Sequence, residues 1–319
     1  MSHRLMPGVC AVGMAAVVLA GCAAGAAPSA TTSSTTSTST TLIASAVSIV
    51  TAPVKLARTP DGLVGYREVG AGPPLVLIMG YSGSMDQWEP RFVDALGRAH
   101  RVVIFDNAGI GRTSALSAPL TITAMADQTA AFIETLHLGR PDVLGWSMGG
   151  LIAQALAVLH PSLVRRLVLC ATLPGNGKAT LPSAAAAGAL SDPAKGNATT
   201  LLGLLFPANQ SAGEAEYVKQ MLEFPHFYLA PAAVSKAQLG ALGSWLSGKE
   251  IAGRSVDEIA SPTLVADGLE DDLVPTANDR ELARIIKHSS IVLYPDAGHA
   301  FLFQDERAFL QRVQGFLGD

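Results

Sequence analysis

The stretch PDVLGWSMGGLIAQALAVLH, residues 141–160, holds a short apolar run, one serine between spaced glycines, and an Ala/Leu-rich run. Residues 141–147 predict a strand buried on both faces, and 148–160 predict a helix. Glycine costs conformational entropy inside either kind of element. Gly145 and Gly149 make sense if Ser147 sits on a sharp strand-to-helix turn, where side chains would collide with the neighbouring strand and helix. A serine held there has a strained backbone and a hydroxyl that projects from the sheet, the arrangement of a nucleophile elbow.

The pattern repeats outward from this point. Further strands are expected at 74–80, 101–107, 164–172, 262–268 and 290–296, with a weakly alternating, antiparallel one at 63–70. Helical spacing marks 125–138, 277–287 and 304–317. Such alternation predicts an α/β fold: a mostly parallel central sheet with helices on both faces. Residues 174–250 break the alternation with Ala-rich runs and Pro and Gly breaks, and are expected to form a helical insertion, because so long a structureless loop is unusual in a compact domain. Its most apolar patch is Leu201, Leu202, Leu204, Leu205 and Phe206, suited to packing on the main domain or to lining a substrate channel.

A serine hydroxyl is a poor nucleophile without a base, and the base needs an orienting acid. The expected chain order on this scaffold is Ser, then Asp or Glu, then His. Seven histidines are present, and only His299 lies in a Gly-His turn after the last strand. It is the expected base. Asp267, Glu270, Asp271 and Asp272 crowd the loop after the preceding strand. Asp267 ends that strand and reads as structural. The G-x-x-D spacing favours Asp271 over Asp272 as the acid.

GWSMGG, GLEDDLVP, AGHAFLFQ and FDNAGIGRTS (105–114), with IMGYSGSMDQW (78–88), together resemble the motifs of the α/β-hydrolase superfamily. The resemblance covers about residues 60–318 and points to the lidded group that includes many bacterial esterases. It implies an α/β-hydrolase fold in which the insertion at 174–250 is a lid. Ser147 would be the nucleophile, His299 the base and Asp271 the acid, with an oxyanion hole from the backbone N–H groups of Tyr81 and Met148. The turn at Asp106 would be structural. The chain departs from the family at Met79, where many members carry His before the loop glycine. The implied activity is hydrolysis of a carboxylic ester of a small acyl substrate, with no cofactor and no metal.

Alternatives follow from the same residues. A peptidase of the superfamily usually carries G-G-S-W-G at the elbow, and Glu214, Glu216 and Glu223 could in principle hold a peptide amine. A binding protein on a hydrolase scaffold would have no need of three intact triad residues. A serine, not an aspartate, at the elbow weighs against dehalogenase and epoxide hydrolase chemistry.

The chain has 319 residues and a net charge of −4 without charge runs, which argues against nucleic acid. Arg4 precedes an apolar stretch ending in Leu19-Ala20-Gly21-Cys22. Residues 1–21 are expected to be a secretion signal. The tetrapeptide resembles the bacterial lipobox, which makes Cys22 the expected lipidated residue and places the protein on a membrane at the cell envelope. Residues 22–52, rich in Ser and Thr, are expected to be a tether, and 53–319 the folded domain. Removal of Cys10 with the signal would leave Cys170 alone, in a buried strand, as a structural thiol. The sequons at Asn197 and Asn209 read as chance.

Overall fold

The computed structural model describes residues 48–191, 198–226 and 228–318. The expected signal segment, Cys10, Cys22, the tether up to residue 47 and Asn197 lie outside the described residues.

Eight strands form one sheet: β1 (Lys55–Thr59), β2 (Gly62–Val69), β3 (Pro74–Ile78), β4 (Arg101–Phe105), β5 (Asp142–Trp146), β6 (Leu167–Cys170), β7 (Thr263–Gly268) and β8 (Ser289–Tyr294). Their order is β1-β2-β4-β3-β5-β6-β7-β8. β2 runs antiparallel to both its neighbours, and every pairing from β4 to β8 is parallel. Between the strands lie α1 (Pro90–Gly97), α2 (Ile122–Thr135) and α3 (Met148–Leu159). The insertion holds α4 (Ala184–Ser191), α5 (Ala198–Leu205), α6 (Ser211–Met221) and α7 (Ala232–Leu246). The short α8 (Ile251–Arg254) leads back to β7, and α9 (Ala277–Ile285), α10 (Phe301–Gln304) and α11 (Glu306–Gly318) complete the chain.

The continuous apolar runs are explained by the two faces they serve. Side chains alternate along a strand. Val76, Ile78, Val103 and Phe105 point into one core layer with residues of α2 and α3. Leu75, Leu77, Val102 and Ile104 point into the other, with residues of α1 and α11. At roughly 1.5–3 kcal/mol per fully buried large apolar side chain, these two layers hold the sheet. Thr121 starts α2 by accepting the N–H of Ala124 at 3.0 Å, an N-cap that places the helix slightly ahead of the expected 125–138.

Residues 48–52, which sequence assigns to the tether, pack on the domain. Ile49 is fully buried. Ser48 Oγ donates to Asp94 Oδ2 at 2.6 Å, and the Ile49 N–H to Asp94 Oδ1 at 2.7 Å. Among the described residues no helix is long and apolar enough to cross a membrane.

Candidate active site

Ser147 joins β5 to α3 with φ +56° and ψ −123°. For a residue with a side chain this conformation costs on the order of 1–3 kcal/mol and persists only when its surroundings impose it. They do so here. The Ser147 N–H donates to Cys170 O at 2.8 Å, and Ser147 O accepts from Thr172 Oγ1 at 2.8 Å. The glycines are there for space. A Cβ on Gly145 would stand 2.3 Å from Gly149 O, and one on Gly149 would stand 2.0 Å from Ile78 O. Only bare backbone lets α3 lie this close to β3 and β5.

The expected acid and base meet. His299 Nδ1 and Asp271 Oδ2 are 2.6 Å apart, and both residues are buried. Asp271 Oδ1 also accepts the N–H groups of Leu273 at 2.7 Å and Val274 at 2.8 Å. A carboxylate only accepts, so the ring proton belongs on Nδ1 and Nε2 is left as the free base. Asp272 is exposed and takes no part in this contact. Asp271 follows β7, His299 follows β8 and Ser147 follows β5. All three therefore lie at the carboxyl ends of parallel strands, where open α/β sheets place their sites.

Backbone from α3 and from the loop after β3 borders the serine. Met148 is the first residue of α3, so its N–H has no partner within the helix and lies at the positive end of the helix dipole. The loop after β3 approaches from the other side: a Cβ on Gly80 would lie 3.1 Å from Ser147 Cβ. Tyr81 follows, half-buried. Met79 is buried, and its carbonyl accepts Asn107 Nδ2 at 2.8 Å. Asp106 Oδ1 accepts the Met85 N–H at 2.8 Å. The turn at Asp106 thus braces both ends of this loop. Desolvation pushes the Asp106 carboxyl up to about 7, and that of its buried neighbour Asp86 up to about 6 although Arg67 stands beside it.

Several supporting residues carry no signal in the sequence. Trp146, inside the elbow motif, donates from Nε1 to His299 O at 3.0 Å and lays its ring by the imidazole. Thr172 holds the serine carbonyl. The insertion reaches the histidine loop through the Ala300 N–H, which donates to Leu205 O at 3.0 Å. The apolar patch before it divides its work: Phe206 is buried against Tyr217, Leu202 packs on one core layer, Leu204 on the other and Leu205 on both. Of the carboxylates that could hold a peptide amine, Glu216 is already engaged with Lys219, Gln220 and Arg91. Cys170 is fully buried and unbridged, and burial raises its thiol well above the ordinary value.

Comparison with known proteins agrees with this architecture. Residues 73–306 match the family described as alpha/beta hydrolase fold. The "Putative non-heme bromoperoxidase BpoC" of Mycobacterium tuberculosis is 32% identical over 275 residues, covering 77% of this chain and 94% of that protein. An alpha/beta hydrolase fold protein from Chitinophaga pinensis superposes with a TM-score of 0.74 at 25% identity, covering 85% of this chain and 99% of that one. The enol-lactonase from Burkholderia xenovorans LB400 superposes with a TM-score of 0.67 at 25% identity, over 83% of this chain and all (100%) of that one. With its eight-stranded, mostly parallel sheet and a family match over most of its length, this chain belongs to the α/β-hydrolase fold family, and it is a hydrolase of that family.

Proposed function

We propose that this hydrolase cleaves carboxylic esters through an acyl-enzyme intermediate. The contact between His299 and Asp271, on the same sheet edge as the strained Ser147, is the observation that carries the reading. Ser147 Oγ attacks the ester carbonyl as His299 Nε2 takes its proton. The negative charge that develops on the carbonyl oxygen is received by the N–H groups of Met148 and Tyr81, each such donor being worth about 2.7–4 kcal/mol of barrier. His299 then protonates the departing alkoxide. Water, deprotonated by the same imidazole, releases the acyl group and restores the serine. Asp271 holds the ring in the required tautomer and balances its transient positive charge. Helices α4–α7 serve as the lid and shape the acyl pocket. The likeness to a protein named an enol-lactonase, whose name denotes a cyclic ester, fits this substrate class. The same proposal places the enzyme at the cell envelope, held by a lipid on Cys22, on the strength of the lipobox-like sequence.

One experiment tests both parts. The full-length chain, its Ser147→Ala variant and its Cys22→Ser variant are expressed in a bacterial host, fractionated, and treated with a fluorophosphonate probe. The wild-type protein should label in the membrane fraction and take up a tagged fatty acid, Ser147→Ala should not label, and Cys22→Ser should label without taking up the fatty acid. A folded wild-type chain that resists the probe would sink the hydrolase mechanism. Labelled protein that stays soluble with Cys22 intact would sink the anchor alone.

A further inference from the structure

The tip of the loop after β3 is held from the insertion by one buried polar side chain. Gln238, in α7, is fully buried. Its Oε1 accepts the Ser82 N–H at 2.8 Å, and one turn earlier Ser235 Oγ meets Ser82 Oγ at 2.8 Å. Ser82 needs this support. Its φ is +59°, in the left-handed region that disfavours a residue with a Cβ. The Gly83 N–H reaches back to Gly80 O at 3.3 Å, so Tyr81 and Ser82 are the two central residues of a tight turn. Asn107 fixes the loop at Met79 and Asp106 fixes it at Met85. Between these anchors, Ser82 is bound to α7.

Gln238 is also costly in its place. Its Nε2 is buried with no acceptor among the described residues, whereas the neighbouring buried positions of the same helix are Ala241 and Trp245. An unpaired buried amide is expensive, and an apolar side chain of similar shape would avoid the expense. A group kept at such a cost points to a use for the bond it does make.

We propose that Gln238 is a positioning residue for the oxyanion loop: by holding the Ser82 N–H it keeps the adjacent Tyr81 in the turn that aims its N–H at the substrate oxygen, and so links the seating of α7 to catalysis. The inference rests on the ester hydrolase reading with Tyr81 as an oxyanion donor. It acts on the transition state, because the oxyanion exists only there, so its loss should lower kcat and spare KM.

The test uses the full-length protein and p-nitrophenyl acetate. Gln238→Met, which keeps the length of the side chain and cannot hold the Ser82 N–H in the same way, should lower kcat by about 10- to 100-fold with KM changed less than about threefold. Adding Ser82→Gly should restore much of that loss, because glycine adopts the turn without the lid's help. A role confined to lid stability would not be rescued in this way. Should Gln238→Met fail to fold, Gln238→Asn, too short to reach Ser82, takes its place with the same expected result. A folded variant with unchanged kcat, a loss that appears in KM, or no rescue by Ser82→Gly would overturn the inference. A wild-type enzyme inert to both the phosphonate and the ester would instead overturn the hydrolase reading beneath it.

Discussion

Asp271 has two oxygens and three donors: His299 Nδ1 on Oδ2, and the N–H groups of Leu273 and Val274 on Oδ1. An amide in its place offers only one oxygen. It must either abandon the two backbone donors or turn its NH₂ toward His299, which would push the ring proton to Nε2 and remove the base. Asp271→Asn is therefore expected to lower kcat by about 10³- to 10⁴-fold, the loss seen when a triad histidine is held in the wrong tautomer. Asp272→Asn, on the exposed neighbour, should stay within about twofold, since surface changes away from a site are nearly neutral. Ester turnover by the two purified variants, with circular dichroism to show that both fold, checks the pair. Spacing alone pointed to Asp271, but only the backbone turn that buries it while leaving Asp272 in solvent separates the two. Gln238 left no such trace. It stands in an Ala-rich helix whose pattern shows no reason to prefer an amide at that position, and its role depends on a loop more than 150 residues away in sequence.

At the scale of elements, β7 and α9 hold two carboxyl groups that take no part in the proposed triad. Asp267 ends β7, Asp279 lies in the first turn of α9, and both are fully buried. Asp267 Oδ2 and both oxygens of Asp279 have no hydrogen-bond partner among the described residues, so burial is not offset there and the neutral acid is favoured. Desolvation raises both carboxyls well above the ordinary aspartate range, and the nearby Asp271 charge adds to it. A folded state that holds a proton the unfolded chain has released becomes less stable as the pH rises above that ordinary range, because there the native state binds more protons than the unfolded one. Asp279→Asn removes one of the two acids. Its melting temperature should accordingly fall less steeply between about pH 5 and pH 9 than that of the wild type, with a difference on the order of 1–3 kcal/mol at the alkaline end. Equal slopes would mean that no proton is held there. Asp86, at about 6, and Asp106, at about 7, share the same sign and should leave a residual slope in the variant. Periodicity anticipated α9 but not this burial, because a helix with acidic residues in its first turn ordinarily turns them to water. The strand β1 was also illegible, for a different reason. Its Lys55, Leu56 and Arg58 are exposed at the sheet edge, so it shows no buried run, and only its hairpin with β2 makes it a strand.

Over the whole molecule, the apolar runs that build the sheet also decide where the chemistry stands. Parallel strands each deliver a loop to the same edge, so residues 147, 271 and 299 converge although long stretches of chain separate them. The boundaries of the folded unit follow a different logic, since composition alone marks where a polar tether ends. The Ser/Thr-rich stretch gives way to AVSIVTAPV at 46–54 without a charge or a clear turn, and a boundary at residue 53 looks natural on that basis. Packing puts Ile49 and Ala52 in the core instead. Asp94 receives two hydrogen bonds from Ser48 and Ile49, and the buried Arg67 guanidinium donates to the Ala52 carbonyl. A chain cut to begin at Val54 would leave an Ile-sized gap, which costs on the order of 2–5 kcal/mol, and would also strip the Ala52 carbonyl from Arg67. For a domain of this size each kcal/mol moves the melting temperature by about 2–4 °C. The chain beginning at Val54 should therefore melt roughly 5–15 °C below the one beginning at Ser48. Scanning calorimetry on the two truncations decides it. Equal melting temperatures would return residues 48–52 to the tether, and a lower one would make this short segment the last piece of the core, laid down beside α1 before the first strand begins.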